Sequence, residues 1–523
     1  MCDRGLQSAV GGEPGDDLPA GVASASGERG RALTESRLQT RRIAFGTAAR
    51  LAGRTLGAVI SLIALRQATR YFGPVDWGPI TAALAWFAMF SYLGSPGVAT
   101  LTMREIARPG TDARSVFGQA LGATFVVSLA ATIVAIAIGV PVYWGRGTTL
   151  EMVLILMPGI PMTALFLTSG AVLVGRGRNG GRSLLDLESS VFLLAATLLV
   201  VGGHFHQRGY AIAYLAALAA NSATALALAL HCLRPKLRGA GKGISRMLRR
   251  SLPLGQFDFF AVIYARADSI MLFFIAGNRA VAYYGVAFQI AVFIFALPAL
   301  FANVLLPDFM SADAARKQFL ARRALDVILT VALPLPIFGI VFARPFVVWL
   351  AGSAFAPAGT LLAILTAAAG ISLVNGYLFQ MAVFAGAERG LWRAAGVATV
   401  SNLAANALAV SLWGAIGAAV VMIFSECVGL VLYFRLYRST MPSPLGRRYP
   451  LSTLIAAVGL AVLCWVLHAD FGVDAGTHAG IVPRAVALFV VYLGLVWILT
   501  AGGRRLAASR RLPQPPAAGF PEG

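Results

Sequence analysis

The chain has 523 residues, 58% of them hydrophobic and only 12% charged, and a mean hydropathy of +0.76. Too few charged side chains are present to cover the surface of soluble domains of this total size, so a polytopic membrane protein is indicated. The net charge of +21 would suit a nucleic-acid partner, but the cations recur in short segments between apolar runs, which excludes that class.

Residues 1–42 are rich in Gly, Ser, Asp, Glu and Arg and read as a disordered cytoplasmic tail without the pattern of a cleavable signal. Apolar spans follow at about 43–71, 79–101, 116–143, 152–174, 185–203 and 209–233. A basic segment, 234–252, holds Arg234, Lys236, Arg238, Lys242, Arg246, Arg249 and Arg250 without a single acid, and reads as a cytoplasmic linker that acts as a tether. Beyond it lie spans at about 253–277, 281–306, 325–350, 357–385, 393–413, 415–436, 450–468 and 485–502, and a cytoplasmic tail at 504–523. Most are long enough for the roughly twenty residues of a spanning helix, and they do not alternate as barrel strands do. The reading is an all-α polytopic membrane protein of about fourteen transmembrane helices.

The even-numbered connections carry clusters such as Arg104, Arg108 and Arg114, or Arg316, Lys317, Arg322 and Arg323. The opposite connections hold little beyond Arg146, Arg208, Arg279 and Arg484. This asymmetry predicts both termini in the cytoplasm of a multi-pass protein of the cytoplasmic membrane. Trp77, Trp144, Trp349 and Trp413 fall at predicted outer ends, as interfacial aromatics do.

The four cysteines (Cys2, Cys232, Cys427, Cys464) form no pairs, and His204 and His206 stand without further ligand types, so no metal is expected. Gly241-Lys242 lacks the first glycine and the Ser or Thr of a phosphate loop, so no nucleotide cofactor is expected either.

Two internal matches indicate a repeat. Gly175-x-x-Arg178-x-x-x-Arg182 recurs as Gly386-x-x-Arg389-x-x-x-Arg393 at an offset of 211, and the turn Phe72–Gly78 pairs with Ala276–Ala282 at an offset of 204. Six helices followed by six of the same orientation make two parallel lobes, 43–233 and 253–437, with an additional helix pair in 438–503.

The run RYFGPVDWGPITAALAWFAMFSYLGSPGVATLTMREIAR (Arg70–Arg108) resembles the first hairpin of the polysaccharide flippases of the multidrug/oligosaccharidyl-lipid/polysaccharide transporter superfamily. The similarity continues through Tyr264–Leu300 and Val383–Glu426. It implies two six-helix lobes in a V, with a central cavity that opens alternately to either side. It also implies a substrate, polyprenyl-pyrophosphate-linked oligosaccharide flipped outward for surface polysaccharide or lipopolysaccharide synthesis, with glycosyltransferases and a polymerase as partners beside membrane lipid.

Ionisable side chains inside spans cost roughly 2.5–3.5 kcal/mol at the bilayer centre and therefore single themselves out. Arg50, Arg54 and Arg66 lie in the first span; Asp258, Arg266 and Asp268 in the seventh; Glu426 in the twelfth. As a functional set, Arg54, Arg266, Arg50 and Arg66 would neutralise a pyrophosphate, and Asp258, Asp268 and Glu426 would orient them or exchange a proton or sodium ion. As a structural set, the arginines snorkel or pair with neighbouring acids. Multidrug and lipid II exporters of the same superfamily are alternative readings, as is a membrane-embedded polysaccharide-synthesis enzyme. The short outer loops and the lack of clustered acids and histidines speak against an enzyme.

Overall fold

The structure, a computed structural model, describes residues 20–236, 240–295, 297, 313–440, 455–460 and 487–498. The chain divides into two units, residues 1–52 and 53–523. In the first, residues 20–52 are helical, where the sequence reading takes 1–42 as a disordered tail. That stretch is free of proline and rich in Ala and Arg, both strong helix formers.

The described elements are helices apart from turns: α1 (Ala20–Leu93), α2 (Val98–Ala107), α3 (Ala113–Val142), α4 (Gly147–Leu156), α5 (Gly159–Gly175), α6 (Asn179–Gly202) and α7 (Gln207–Cys232). Then come α8 (Ala240–Ile275), α9 (Gly277–Phe295), α10 (Ala314–Ala332), α11 (Leu335–Ala351), a 3₁₀ turn (Ser353–Phe355), α12 (Pro357–Phe384) and α13 (Glu388–Thr440). Among the described residues eight helices are long and apolar enough to cross a membrane, or nine if α1 from Thr55 and α2, bent by 42°, count as one span.

These helices account for the first twelve predicted spans, the eighth of which lies outside the described residues beyond 297. α1 holds two of them, hinged at Gly73, and α13 holds two more, hinged at Gly414; both glycines have positive φ (65° and 56°). Without a Cβ, glycine reverses the chain in that conformation at little steric cost. Pro158 and Pro334 mark short breaks inside the fourth and ninth spans, between α4 and α5 and between α10 and α11. The thirteenth and fourteenth predicted spans lie largely outside the described residues; 455–460 and 487–498 are helical.

The backbone carries the repeat. Positive-φ residues close equivalent turns in the two halves: Gly73 with Gly277, Gly145 with Gly352, Gly177 with Gly386, and His204 with Gly414. Asp112 and Asp313 likewise N-cap α3 and α10, each accepting from backbone N–H groups of the first helical turn. At the Gly177/Gly386 turn the register is 209, not 211, so the arginines of that sequence match do not superpose. Arg182 folds back over Phe166 (4.6 Å) and pairs with Asp186 at 2.9 Å, whereas Arg393 is exposed beside Trp392.

Two other expectations change. The basic linker is no free tether: from Ala240 it is helix, continuous with the seventh span, and Met247 is buried against Val98, Leu101, Ala120 and Ala123. Arg250 pairs with Glu105, while Arg246 and Arg249 stay exposed. The apolar residues Ile244, Met247, Leu248 and Leu254 recur at helical spacing and explain the docking. Trp77 is a packing residue, 6% exposed and edge-on to Tyr210, whereas Trp144 and Trp413 are exposed at turns.

Candidate functional site: a charged cavity between the two halves

The two halves meet at both ends of the bundle. At the Gly73/Gly277 end, Gly78 touches the backbone of Asn278 and Gly285 touches Thr81. At the other end, Gly97 abuts Ser251 and Leu254, and Gly255 abuts Pro96. A Cβ at any of these glycines would collide with its neighbour, so close backbone approach sets the seam.

Between the ends lies a cavity of about 330 Å³. Tyr92 comes to it from α1 in the first half; α8, α9, α12 and α13 of the second half contribute the remaining lining. Phe288, Val292 and Phe295 make an apolar wall on α9, and Arg266 and Glu426 are the cation and the carboxylate among its lining. The Arg266 guanidinium lies 5.8 Å from the Phe288 ring centroid and makes no ion pair or hydrogen bond among the described residues. A guanidinium held over an aromatic face with its N–H groups unused is an open anion receptor.

Glu426 is buried and held at both oxygens: the Tyr264 hydroxyl donates to Oε1 at 3.2 Å and Asn375 Nδ2 donates to Oε2 at 2.7 Å. Asn375 Nδ2 also donates to the Glu426 backbone carbonyl at 2.8 Å. Next to it runs an amide ladder in α13, where Asn406 donates to Asn402 at 3.1 Å and Asn402 donates to Ser425 at 2.9 Å. Neutral donors fix this carboxylate in place without cancelling its charge, so a proton or a small cation is what it can exchange.

Asp268 does not pair with Arg266. It is 2% exposed and accepts from the Tyr284 hydroxyl and from the Ser269 backbone N–H at 2.7 Å, within the second half. Two residues along a helix point about 200° apart, which is why neighbours in sequence part company here. Arg66 is likewise elsewhere: its guanidinium donates to the Trp349 carbonyl and stacks on the Trp349 ring at 5.2 Å. Arg50, Arg54 and Asp258 stand on helical backbone, and their side chains lie outside the described residues. Of the sequence candidates, the structure therefore brings Arg266 and Glu426 to one cavity and sets Arg66 and Asp268 apart from its lining. Sequence reasoning searched for charge and missed Tyr264, Asn375, Asn402 and Asn406. Amides within an apolar span were the available signal.

A helical bundle repeated in parallel, with a charged cavity at the junction of its halves, is the architecture of a membrane transporter. The chain belongs to the polysaccharide biosynthesis protein family, whose model matches residues 68–359, more than half its length. Among solved structures its fold is similar to "Lipid II flippase MurJ, inward closed conformation", with a TM-score of 0.68 at 14% identity over 89% of this chain and 100% of that one. It is also similar to an inward-facing multidrug resistance MATE family transporter of the MOP superfamily (TM-score 0.58, 16% identity, 76% of this chain and 100% of that one). A third similar structure is a MATE transporter in the bent conformation (TM-score 0.53, 16% identity, 76% of this chain and 96% of that one). The comparison with curated proteins gave no match.

Proposed function

We propose that the chain is a flippase for polyprenyl-pyrophosphate-linked oligosaccharide, working by alternating access in the cytoplasmic membrane with both termini in the cytoplasm. The observation that carries this reading is Arg266, a guanidinium without an ion pair or hydrogen bond among the described residues, in an apolar-walled cavity between the two halves. A pyrophosphate is the headgroup of such a lipid, and planar guanidinium binds its oxygens in bidentate fashion. Membership of a polysaccharide biosynthesis family supports the lipid-linked sugar, and a cation in the cavity lining disfavours a cationic drug. Arg54 is proposed as a second headgroup ligand, with Arg50 nearer the membrane edge. Glu426 serves as the coupling carboxylate, exchanging a proton or sodium ion, with Tyr264 and Asn375 positioning it. Asp258 and Asp268 are assigned to orientation within the second half. Glycosyltransferases and a polymerase would supply and consume the substrate.

The test is export of surface polysaccharide in a host deleted for its own copy. Arg266→Ala is expected to abolish export at a normal membrane level of the protein, and Arg266→Lys to retain part of it, because charge survives while the planar fork is lost. Normal export by Arg266→Ala would refute the assignment.

A further inference from the structure

Arg66 and Arg70 are four residues apart on one face of α1, and like charges at that spacing repel. Neither forms an ion pair among the described residues. Their partners are main-chain carbonyls of the other half of the molecule. Arg66 Nη1 and Arg70 Nη2 (2.8 Å) donate to the Trp349 carbonyl, and Arg70 Nε donates to the Leu350 carbonyl at 3.3 Å. These carbonyls belong to the last turn of α11, where no further helical N–H is available to them. The negative end of the helix dipole lies at the same place. Gly352, at φ 96°, ends the helix there and leaves the carbonyls open to a visitor.

The repeat supplies a counterpart with different chemistry. The offset of 204 that pairs Gly73 with Gly277 pairs Arg70 with Phe274, and the offset of 207 that pairs Gly145 with Gly352 pairs Leu350 with Tyr143. At that second contact the Tyr143 ring lies 5.1 Å from Phe274 and 5.8 Å from Phe273, and the Arg146 guanidinium lies 5.0 Å from Phe273 and 5.6 Å from Phe274. One side of the seam is thus held by charge-assisted hydrogen bonds and the other by buried rings.

The two contacts respond differently to separation. When water enters the arginine contact, guanidinia and carbonyls exchange one set of hydrogen bonds for another, so the net cost is small. When the ring contact opens, Phe273, fully buried, loses its apolar cover with nothing in exchange, and Tyr143 loses the cover of its ring, offset in part by water reaching its hydroxyl, which has no hydrogen-bond partner among the described residues.

We infer that Arg66 and Arg70 are a releasable interlobe latch at the Gly73/Gly277 end, and that the Tyr143–Phe273–Phe274–Arg146 cluster is the hinge about which that end opens. The pair governs which face the cavity presents, independently of what is carried.

The test uses the full chain in membrane vesicles, with its cysteines replaced by serine and Val292→Cys on the cavity wall as reporter. A membrane-impermeant maleimide is added from either face. Relative to the reporter alone, Arg66→Gln/Arg70→Gln should raise labelling from the Gly73 face about tenfold and lower it from the opposite face. Arg66→Lys/Arg70→Lys should stay within about threefold, since a cationic donor to the carbonyls remains. Unfolding would raise labelling from both faces, and that outcome would contradict the latch, as would unchanged labelling in the glutamine variant. In the same reporter chain, a short bifunctional thiol reagent joining Arg66→Cys to Trp349→Cys should suppress labelling from the Gly73 face, whereas one joining Tyr143→Cys to Phe274→Cys should not. Equal suppression by both links would remove the distinction between latch and hinge.

Discussion

Gly97 allows the seam between the two halves to be weighed directly. It precedes α2 at φ 69°, and a Cβ built on it would meet the Ser251 carbonyl, the Gly255 nitrogen at 2.8 Å and the Leu254 Cβ at 2.9 Å. Two of those neighbours are backbone of α8, which cannot rotate away. Gly97→Ala therefore carries the cost of a left-handed alanine, about 1–2 kcal/mol, and an overpacking cost of about 1–3 kcal/mol. Gly145 has the same handedness, φ 81°, but nothing within 4 Å of a built Cβ. Gly145→Ala should show the conformational cost alone, and the change in unfolded-chain entropy is common to both variants. Equilibrium unfolding of the purified protein in detergent should place Gly97→Ala about 1–3 kcal/mol below Gly145→Ala. Equal losses for the two variants would mean that α8 does not press against Gly97, and the seam described at that end would be wrong.

Thr124 and Thr168, both buried, share a hydrogen bond of 2.8 Å between α3 and α5. Either single Thr→Val change should destabilise the protein by about 1–3 kcal/mol, because it orphans the remaining hydroxyl, and the double change should cost less than the sum of the two. Cysteines at Gly147 and Ser245 report topology: an impermeant thiol reagent added to intact cells should label Gly147→Cys and leave Ser245→Cys untouched, and the reverse pattern would invert the proposed orientation.

The spans were legible because burial in lipid demands continuous apolar runs, and that signal does not depend on tertiary detail. The repeat was legible at Gly73/Gly277, since a left-handed turn favours glycine and both copies carry it there. It misled at Gly175/Gly386, where equal spacing of arginines concealed a register differing by two residues. The site was legible only in part. Arg266 and Glu426 stood out because charge within a span is costly, but a single sequence does not show which way a side chain faces. Asp268 turns to Tyr284, and Arg66 reaches the Trp349 carbonyl, 283 residues away. Asn375 reaches Glu426 across 51 residues, a pairing no local pattern encodes. The linker misled for a different reason: its seven cations overshadowed an apolar stripe that packs Met247 into the first half.

The most direct test of the central claim is flipping by the purified protein in proteoliposomes that carry a fluorescent polyprenyl-pyrophosphate oligosaccharide. Loss of signal to an impermeant quencher reads how much lipid faces outward. The account predicts protein-dependent transbilayer movement of the pyrophosphate lipid, at least tenfold slower movement of the same lipid with a neutral linkage, and movement near the protein-free rate with Arg266→Ala. Equal rates for the pyrophosphate and neutral lipids, unaffected by Arg266→Ala, would contradict it.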